Sequence, residues 1–308
     1  MVKEEGKVKR LRLITLTVNN ICNLNCPHCY LQLKDPFIYI ERSIIQKVLN
    51  SKFEHVAIVG KEPLVNEKSI NLLLEFAKNV KSLGRTISII TNGKNLDKIG
   101  PELLENIDYI DISFDGGKKT YNKIRKGSNF EKLKRDIQRL YYDYNYHKIN
   151  ALHTIHSQNI EDIEDLMSIT EIIPFKTILF SPYLETENYG KNSVSRLDLK
   201  KLIKRLFSNK KFLEIKQTIL NVDIFHLEQA NLSVEDLIDF IENNNFKDKI
   251  IVYDKDLLYE GVIRVTHSGM ALTPRQSLNP KKYSKGLKLE DFSNVNEVWR
   301  ELVKNSTL

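Results

Sequence analysis

Three cysteines, the only ones in the chain, fall within eight residues as Cys22, Cys26 and Cys29. An odd number of cysteines clustered in this way does not make a disulfide framework. Their C-x3-C-x2-C spacing predicts instead that three thiolates on one loop bind three irons of a cubane cluster. Because most electron-transfer clusters use four cysteines, a set of three predicts an iron that is open to another molecule. An open position likewise separates catalytic from structural zinc sites.

Two other interpretations of the cysteine loop stay open. A zinc site with His28 as fourth ligand agrees with the residue types, but His28 adjoins Cys29, and ligation through both would strain so short a loop. The thiols could also be unligated. We expect cluster ligation, because scattered structural thiols would not gather in this way.

The elements that must position the loop follow from the hydrophobic pattern, in which short apolar strands alternate with amphipathic helices. The pattern predicts six strands, at residues 11–18, 56–59, 86–90, 109–114, 149–155 and 177–180. Such alternation is typical of a parallel sheet with helices outside it, and six units are fewer than a full barrel has. We predict the α/β class, as a partial (β/α)6 TIM-like barrel with a small α+β C-terminal extension. The polar and Gly-rich segments follow the strands, at the edge that carries the chemistry of such folds.

The pattern changes after Tyr183. Residues 185–195 predict a loop, 197–207 and 234–241 predict helices, and 250–253 and 261–266 predict strands around a turn, with the only tryptophan, Trp299, on a final helix. We therefore predict two domains, at residues 8–185 and 186–308.

Composition and charge exclude several classes of protein. No apolar run approaches the roughly 18 residues that suggest a membrane span, and the charged N-terminus is not a secretion signal. We therefore expect a cytoplasmic protein with no membrane partner. The net charge of +7 is spread along the chain among Glu and Asp, which predicts a solvated surface or attraction to an acidic partner. No basic run with interleaved aromatic residues marks a nucleic-acid groove.

Four ordered motifs resemble those of the radical S-adenosylmethionine (SAM) superfamily over roughly residues 8–185. The cysteine loop follows the first predicted strand, and three further motifs end the next strands: Gly60-Lys61-Glu62-Pro63, similar to the family's GGEP, then Thr91-Asn92-Gly93 and Ser113-Phe114-Asp115-Gly116. Residues 121–130, YNKIRKGSNF, resemble a segment of the subgroup that contains sulfatase-maturing and peptide-modifying enzymes.

The resemblance implies a [4Fe–4S] cluster on the three cysteines, with SAM bound to its open iron through amino and carboxylate groups. It also implies that Glu62 and the backbone near Gly60 accept hydrogen bonds from the methionine ammonium group. The remaining implied SAM-binding residues are His28 near the adenine, Ser113 and Asn150 at the ribose, Arg125 at the methionine carboxylate, and Asn92. In the alternative interpretation, Ser113 and Asn92 are turn residues and Arg125 forms a surface ion pair.

Lys61 departs from the family pattern, which usually has a second glycine there. If the backbone at this position needs a positive φ, a lysine would cost about 1 kcal/mol or more.

Residues 261–299 are similar to the C-terminal extension of the SPASM type in the same subgroup. Ser268-Gly269 and Trp299 fit that pattern, but residues 273–275, Thr-Pro-Arg, occupy the region of the first expected cysteine ligand. The resemblance therefore implies an extension that keeps its shape without auxiliary clusters. It also leaves no cysteine to donate hydrogen to a substrate radical.

The resemblance implies an enzyme that generates a 5′-deoxyadenosyl radical to abstract hydrogen from a substrate, and it favours a peptide in natural-product maturation. Because the cluster motif begins at residue 22, we expect a separate peptide-capture protein, and flavodoxin or ferredoxin as electron donor. Two alternatives remain: an enzyme that acts on a sugar, nucleoside or other small metabolite, and a non-catalytic cluster-binding scaffold.

Overall fold

The computed structural model describes residues 10–29, 31, 37–185, 195–278 and 284–306. The described residues form two compact units. Unit 1 comprises the described parts of Met1–Ile21, Leu33–Ile89 and Lys255–Leu308, and unit 2 comprises those of Cys22–Gln32 and Ile90–Asp254. Most of the predicted loop at 185–195 lies outside the described residues, and the domain division at residue 185 stays a prediction.

Unit 1 is built on a mixed sheet. Its strands are β1 (Leu13–Thr17), β2 (His55–Val59), β3 (Thr86–Thr91, of which the last two residues belong to unit 2), β9 (Val262–Val265), β10 (Met270–Leu272) and β11 (Leu287–Lys288). Their order is β11-β10-β9-β1-β2-β3, with β9, β1, β2 and β3 parallel and β10 and β11 added antiparallel. Its helices are α1 (Arg42–Leu49), α2 (Glu67–Ser82), α11 (Pro274–Ser277) and α12 (Val295–Ser306).

Helices α1, α2 and α12 of unit 1 each bury one apolar stripe, as is typical of amphipathic helices. Helix α2 begins where the Asn66 side chain accepts a hydrogen bond from the Ser69 N–H at 3.0 Å, which satisfies one of the free donors of the first turn. Helix α12 buries Trp299, whose indole N–H donates to the Leu258 carbonyl oxygen at 2.9 Å. The predicted C-terminal helix with its tryptophan is therefore confirmed.

Unit 2 is built on a parallel sheet. Its strands are β4 (Tyr109–Ser113), β5 (Ile149–Ile155), β6 (Thr177–Pro182), β7 (Thr218–Asp223) and β8 (Ile250–Tyr253), paired in that order. Its helices are α3 (Pro101–Asn106), α4 (Tyr121–Ile124), α5 (Phe130–Tyr142), α6 (Ile163–Thr170), α7 (Leu199–Phe207), α8 (Lys210–Glu214), α9 (Ile224–Ala230) and α10 (Val234–Asn243). The predicted α/β class with a parallel sheet is confirmed.

The strands predicted at residues 250–253 and 261–266 are confirmed as β8 and β9, but their placement around a turn was wrong. Strand β7 was not predicted. Strand β8 instead pairs in parallel with β7, and β9 pairs with β1 and β10. Strand neighbours depend on long-range pairing, which local hydrophobic pattern does not determine.

The backbone of the Gly60 motif shows whether Lys61 must adopt a positive φ. Gly60 has φ +155°, and a Cβ there would lie 3.3 Å from both the Asn19 carbonyl oxygen and Thr17 Cγ2. Lys61 is not among the residues with positive φ. The special conformation therefore falls on Gly60, and Lys61 carries no cost of that kind.

Among the described residues, the structure contains no helix that is both long enough and apolar enough to span a bilayer.

Candidate functional site

The cysteine loop is held by two other segments of unit 2. The Asn25 N–H donates to the Lys126 carbonyl oxygen at 3.0 Å, just after α4. Beyond β3, the Lys94 ammonium donates to the Asn23 carbonyl oxygen at 3.2 Å, and the Asn92 side-chain amide donates to Asn23 Oδ1 at 2.9 Å. The predicted site residue Asn92 therefore fixes the loop that carries the cysteines.

Hydrogen-bond donors approach two of the three sulfurs. The Leu24 N–H lies 3.4 Å from Cys22 Sγ, and the Asn92 amide nitrogen lies 3.7 Å from it. Arg125 Nη1 lies 3.9 Å from Cys26 Sγ. Such donors and a nearby cation favour thiolate, the form that binds iron. Burial raises the pKa of the Cys26 thiol to about 11, while Arg125 acts in the opposite direction, so loading the site requires the loss of a proton.

Asp115 organises the polar groups beside the loop. Its carboxylate is fully buried at the end of β4, pairs with the Arg125 guanidinium, and lies 3.1 Å from His28 Nε2. Its Oδ1 accepts a hydrogen bond from the Thr154 N–H at 2.8 Å. Burial alone would raise the pKa of Asp115, but Arg125 and then His28 outweigh it and hold the pKa well below its usual range. A buried carboxylate thus fixes two of the predicted SAM-binding residues.

Two buried polar atoms beside the cysteine loop have no hydrogen-bond partner in the part of the protein that the structure describes. These atoms are His28 Nδ1 and Arg125 Nε. The other ring nitrogen of His28, Nε2, is directed at Asp115. Buried polar atoms usually have a partner, so the two unpartnered atoms suit a polar ligand beside the thiols.

The structure brings together some of the predicted unit 2 residues and not others. His28, which lies on the cysteine loop, and Arg125 both contact Asp115; with the neighbouring His153 and His156 they are here called the Asp115 cluster. Half-buried Ser113 ends β4 two residues before Asp115. Asn150 is placed elsewhere: it lies at the start of β5 and donates to Asp111 Oδ1 at 2.7 Å. The amino end of a strand is opposite to the edge that carries Asp115, so the structure does not join Asn150 to this cluster.

Three buried residues of the Asp115 cluster were not predicted as site residues: Asp115, His153 and His156. Asp115 belongs to the motif Ser113-Phe114-Asp115-Gly116, and its position just after an apolar strand was the signal that could have identified it. His153 Nδ1 lies 2.7 Å from the Phe114 carbonyl oxygen, and the His156 ring lies 5.6 Å from that of His28. The pKa of His156 is lowered to about 3, by burial first and then by His28. A neutral imidazole therefore lies beside His28.

In unit 1, the Gly60 and Glu62 motif is rigidly held. Glu62 is almost completely buried; its Oε1 accepts from the Leu64 N–H at 3.0 Å, and its carbonyl oxygen accepts from Asn19 Nδ2 at 3.0 Å. Asn19 Nδ2 also donates to Ser69 Oγ at 2.9 Å. The roles of Gly60 and Glu62 toward SAM stay predictions.

Residues 16–169 match the Radical SAM superfamily. The match covers half of the chain and includes the cysteine loop, the Asp115 cluster and strands β2 to β5. The chain belongs to the radical SAM superfamily.

Two curated relatives and one solved structure extend this finding. The radical SAM cyclopropyl synthase TigE of Paramaledivibacter caminithermalis is 29% identical over 39% of this chain and 30% of that protein. The GTP 3′,8-cyclase of Lactiplantibacillus plantarum is 29% identical over 39% of each chain. This chain therefore spans well under half the length of these relatives.

The solved structure is SuiB of Streptococcus suis bound to S-adenosylmethionine, with a TM-score of 0.54 and 17% identity over 85% of this chain and 60% of SuiB. At this identity the likeness concerns the fold alone. SuiB has also been solved with its precursor peptide SuiA bound.

Proposed function

We propose that the protein is a radical SAM enzyme that cleaves SAM reductively and abstracts hydrogen from a peptide substrate. The observation that carries this proposal is the three-cysteine loop, whose sulfurs are approached by Leu24, Asn92 and Arg125. A three-thiolate set leaves one iron of a [4Fe–4S] cluster without a protein ligand.

The residues of unit 2 have separate tasks in this proposal. Cys22, Cys26 and Cys29 hold the cluster, which when bound supplies the electron that cleaves SAM. Asp115 holds His28 and Arg125 in place, so that His28 Nδ1 and Arg125 Nε face the ligand. In that position Arg125 suits the methionine carboxylate, because a guanidinium makes charge-assisted hydrogen bonds.

Two observations support a peptide as substrate. The fold is similar to that of SuiB, which binds a precursor peptide. A SPASM-type extension is supported by the hairpin of β9 and β10, with Gly269 at φ +76° in its turn, and by Trp299 on α12. We propose that the chain belongs to this subgroup and takes its electron from a flavodoxin or ferredoxin, with a separate peptide-capture protein.

A nucleotide substrate is the second candidate. Its support is the similarity to the GTP 3′,8-cyclase and to the S-adenosylmethionine-dependent nucleotide dehydratase of Flammeovirga pacifica, which is 28% identical over 33% of this chain.

Release of 5′-deoxyadenosine tests the proposed activity. Protein reconstituted anaerobically with iron and sulfide, then reduced with dithionite in the presence of SAM, is expected to release 5′-deoxyadenosine and methionine in equal amounts. Protein without dithionite is the control and should release neither. A cluster-loaded, reduced protein that leaves SAM intact would instead be the scaffold.

A further inference from the structure

The sheet of unit 2 has two different faces. In β5 the residues Ala151, His153 and Ile155 are fully buried, whereas Leu152 and Thr154 between them are half-buried. The same alternation continues through β4, β6 and β7. Phe114, which continues the buried face, packs against Tyr121 of α4 and Phe175. The buried face therefore meets the apolar core, and the other face, here called the open face, carries the half-buried residues.

The strand register arranges the open face in two rows. Thr154 pairs with Ser181, and because Phe180 pairs with Leu220, Ser181 lies beside Asn221. These three residues form the polar row at the carboxyl ends of β5, β6 and β7. One step toward the amino ends, Leu152 pairs with Leu179 and Leu179 with Ile219; these three form the apolar row.

The polar row has unused hydrogen-bonding capacity beside the candidate site. Among the described residues, the side chains of Thr154, Ser181 and Asn221 make no hydrogen bond. The Thr154 backbone N–H donates to Asp115 Oδ1, so the row begins at the Asp115 cluster. Two hydroxyls and one amide can both donate and accept hydrogen bonds.

The charge of the open face excludes phosphate recognition by these strands. Strands β4, β5, β6 and β7 contain no lysine or arginine. Their only acidic side chains on the open face are Asp111, which accepts from Asn150, and Asp223, which caps α9. Phosphate binding in proteins relies largely on Arg, Lys or a metal ion. The four strands therefore offer a nucleotide phosphate no cationic partner of their own, and the Arg125 guanidinium beside the row is already paired with Asp115.

We propose that the open face binds a neutral peptide segment, with its backbone amides on the polar row and an aliphatic side chain on the apolar row. The proposal rests on the proposed function and names the part of a peptide that the enzyme recognises. Three neighbouring strands span about 10 Å, which matches about three residues of extended peptide. A sugar fits less well, because its hydroxyls would lose water against Leu152, Leu179 and Ile219 without gaining hydrogen bonds.

Titrations of cluster-loaded protein with SAM, followed by saturation-transfer NMR, test this proposal. The probes are the capped peptide acetyl-Gly-Ile-Val-Gly-amide, glucose and GTP. We expect the peptide to bind more tightly than glucose or GTP, and Ser181→Ala and Asn221→Leu each to raise its Kd about two- to tenfold, the cost of one neutral hydrogen bond. Thr177→Val, four residues earlier on the same strand and face, is the matched control and should leave the Kd unchanged.

The melting temperature of each variant checks its folding. Release of 5′-deoxyadenosine by the wild type tests the proposed function separately from the assignment of the open face. If the wild type releases none, the proposed function fails, whatever the peptide does. If it does release 5′-deoxyadenosine, the assignment of the open face is overturned by absence of peptide binding, by tighter binding of GTP or glucose, or by folded polar-row variants with wild-type Kd.

Discussion

Replacing Cys26 with alanine is expected to abolish both the iron–sulfur absorption of the reconstituted protein and its cleavage of SAM. Cys26 is the most buried of the three cysteines, and its sulfur lies 3.9 Å from Arg125 Nη1. Changes to residues that merely support metal ligands cost about 10- to 100-fold in metal affinity or activity. Loss of a ligand should therefore lower the release of 5′-deoxyadenosine by at least about a hundredfold. Iron analysis and chromatography of the products measure the two effects.

Arg135→Ala is a suitable control for this substitution, because Arg135 is an exposed cation on α5. The control should keep its iron and its activity. Full iron content or wild-type SAM cleavage in the Cys26→Ala protein would show that the cysteine loop is not the cluster site.

Asp115→Asn should be strongly destabilising, by about 3–5 kcal/mol in the free energy of unfolding, because it leaves a buried charge without its partner. The Arg125 side chain is 13% exposed and the Asp115 side chain 0% exposed, so water cannot replace the lost interaction. The change also removes the negative charge that lies 3.1 Å from His28 Nε2. Anaerobic urea unfolding of the wild type and the variant measures the difference.

The double variant Asp115→Asn/Arg125→Met distinguishes a lost charge pair from a general packing defect. Replacing both members of a buried pair is often close to neutral, whereas removing one is costly. We expect the double variant to recover part of the stability that the single variant loses. A loss below about 1 kcal/mol for Asp115→Asn, in the range of an exposed pair, would contradict the role assigned to this carboxylate.

The sequence predicted the parts of the molecule that depend on local pattern. Apolar strands followed by polar turn residues indicated β1 to β6, and the spacing of the three cysteines indicated the loop that Asn92 and Arg125 approach in the structure. The family motifs also placed His28 and Arg125 in one set, and the structure joins them through Asp115.

Long-range pairing was beyond a local pattern. Strand β7 follows the short helix α8 without the Gly or Pro that marks most turns. Its buried residues are Thr218, Leu220 and Val222, and the polar Thr218 among them weakens the alternation of apolar and polar residues that predicts a strand. Asn150 is a different case, because it is the second residue of β5. The predicted strand bounds already placed it at the end opposite to the edge that carries the chemistry of parallel sheets. The importance of Asp115 emerged only from its burial between Arg125 and His28.

The interaction of SAM with the reduced cluster tests the central claim most directly. Electron paramagnetic resonance of the anaerobically reconstituted and reduced protein, recorded before and after addition of SAM, reports on the coordination of the iron. Three thiolates from Cys22, Cys26 and Cys29 leave one iron for SAM, so the spectrum is expected to change when SAM is added. A [4Fe–4S] signal that SAM leaves unaltered would contradict the account.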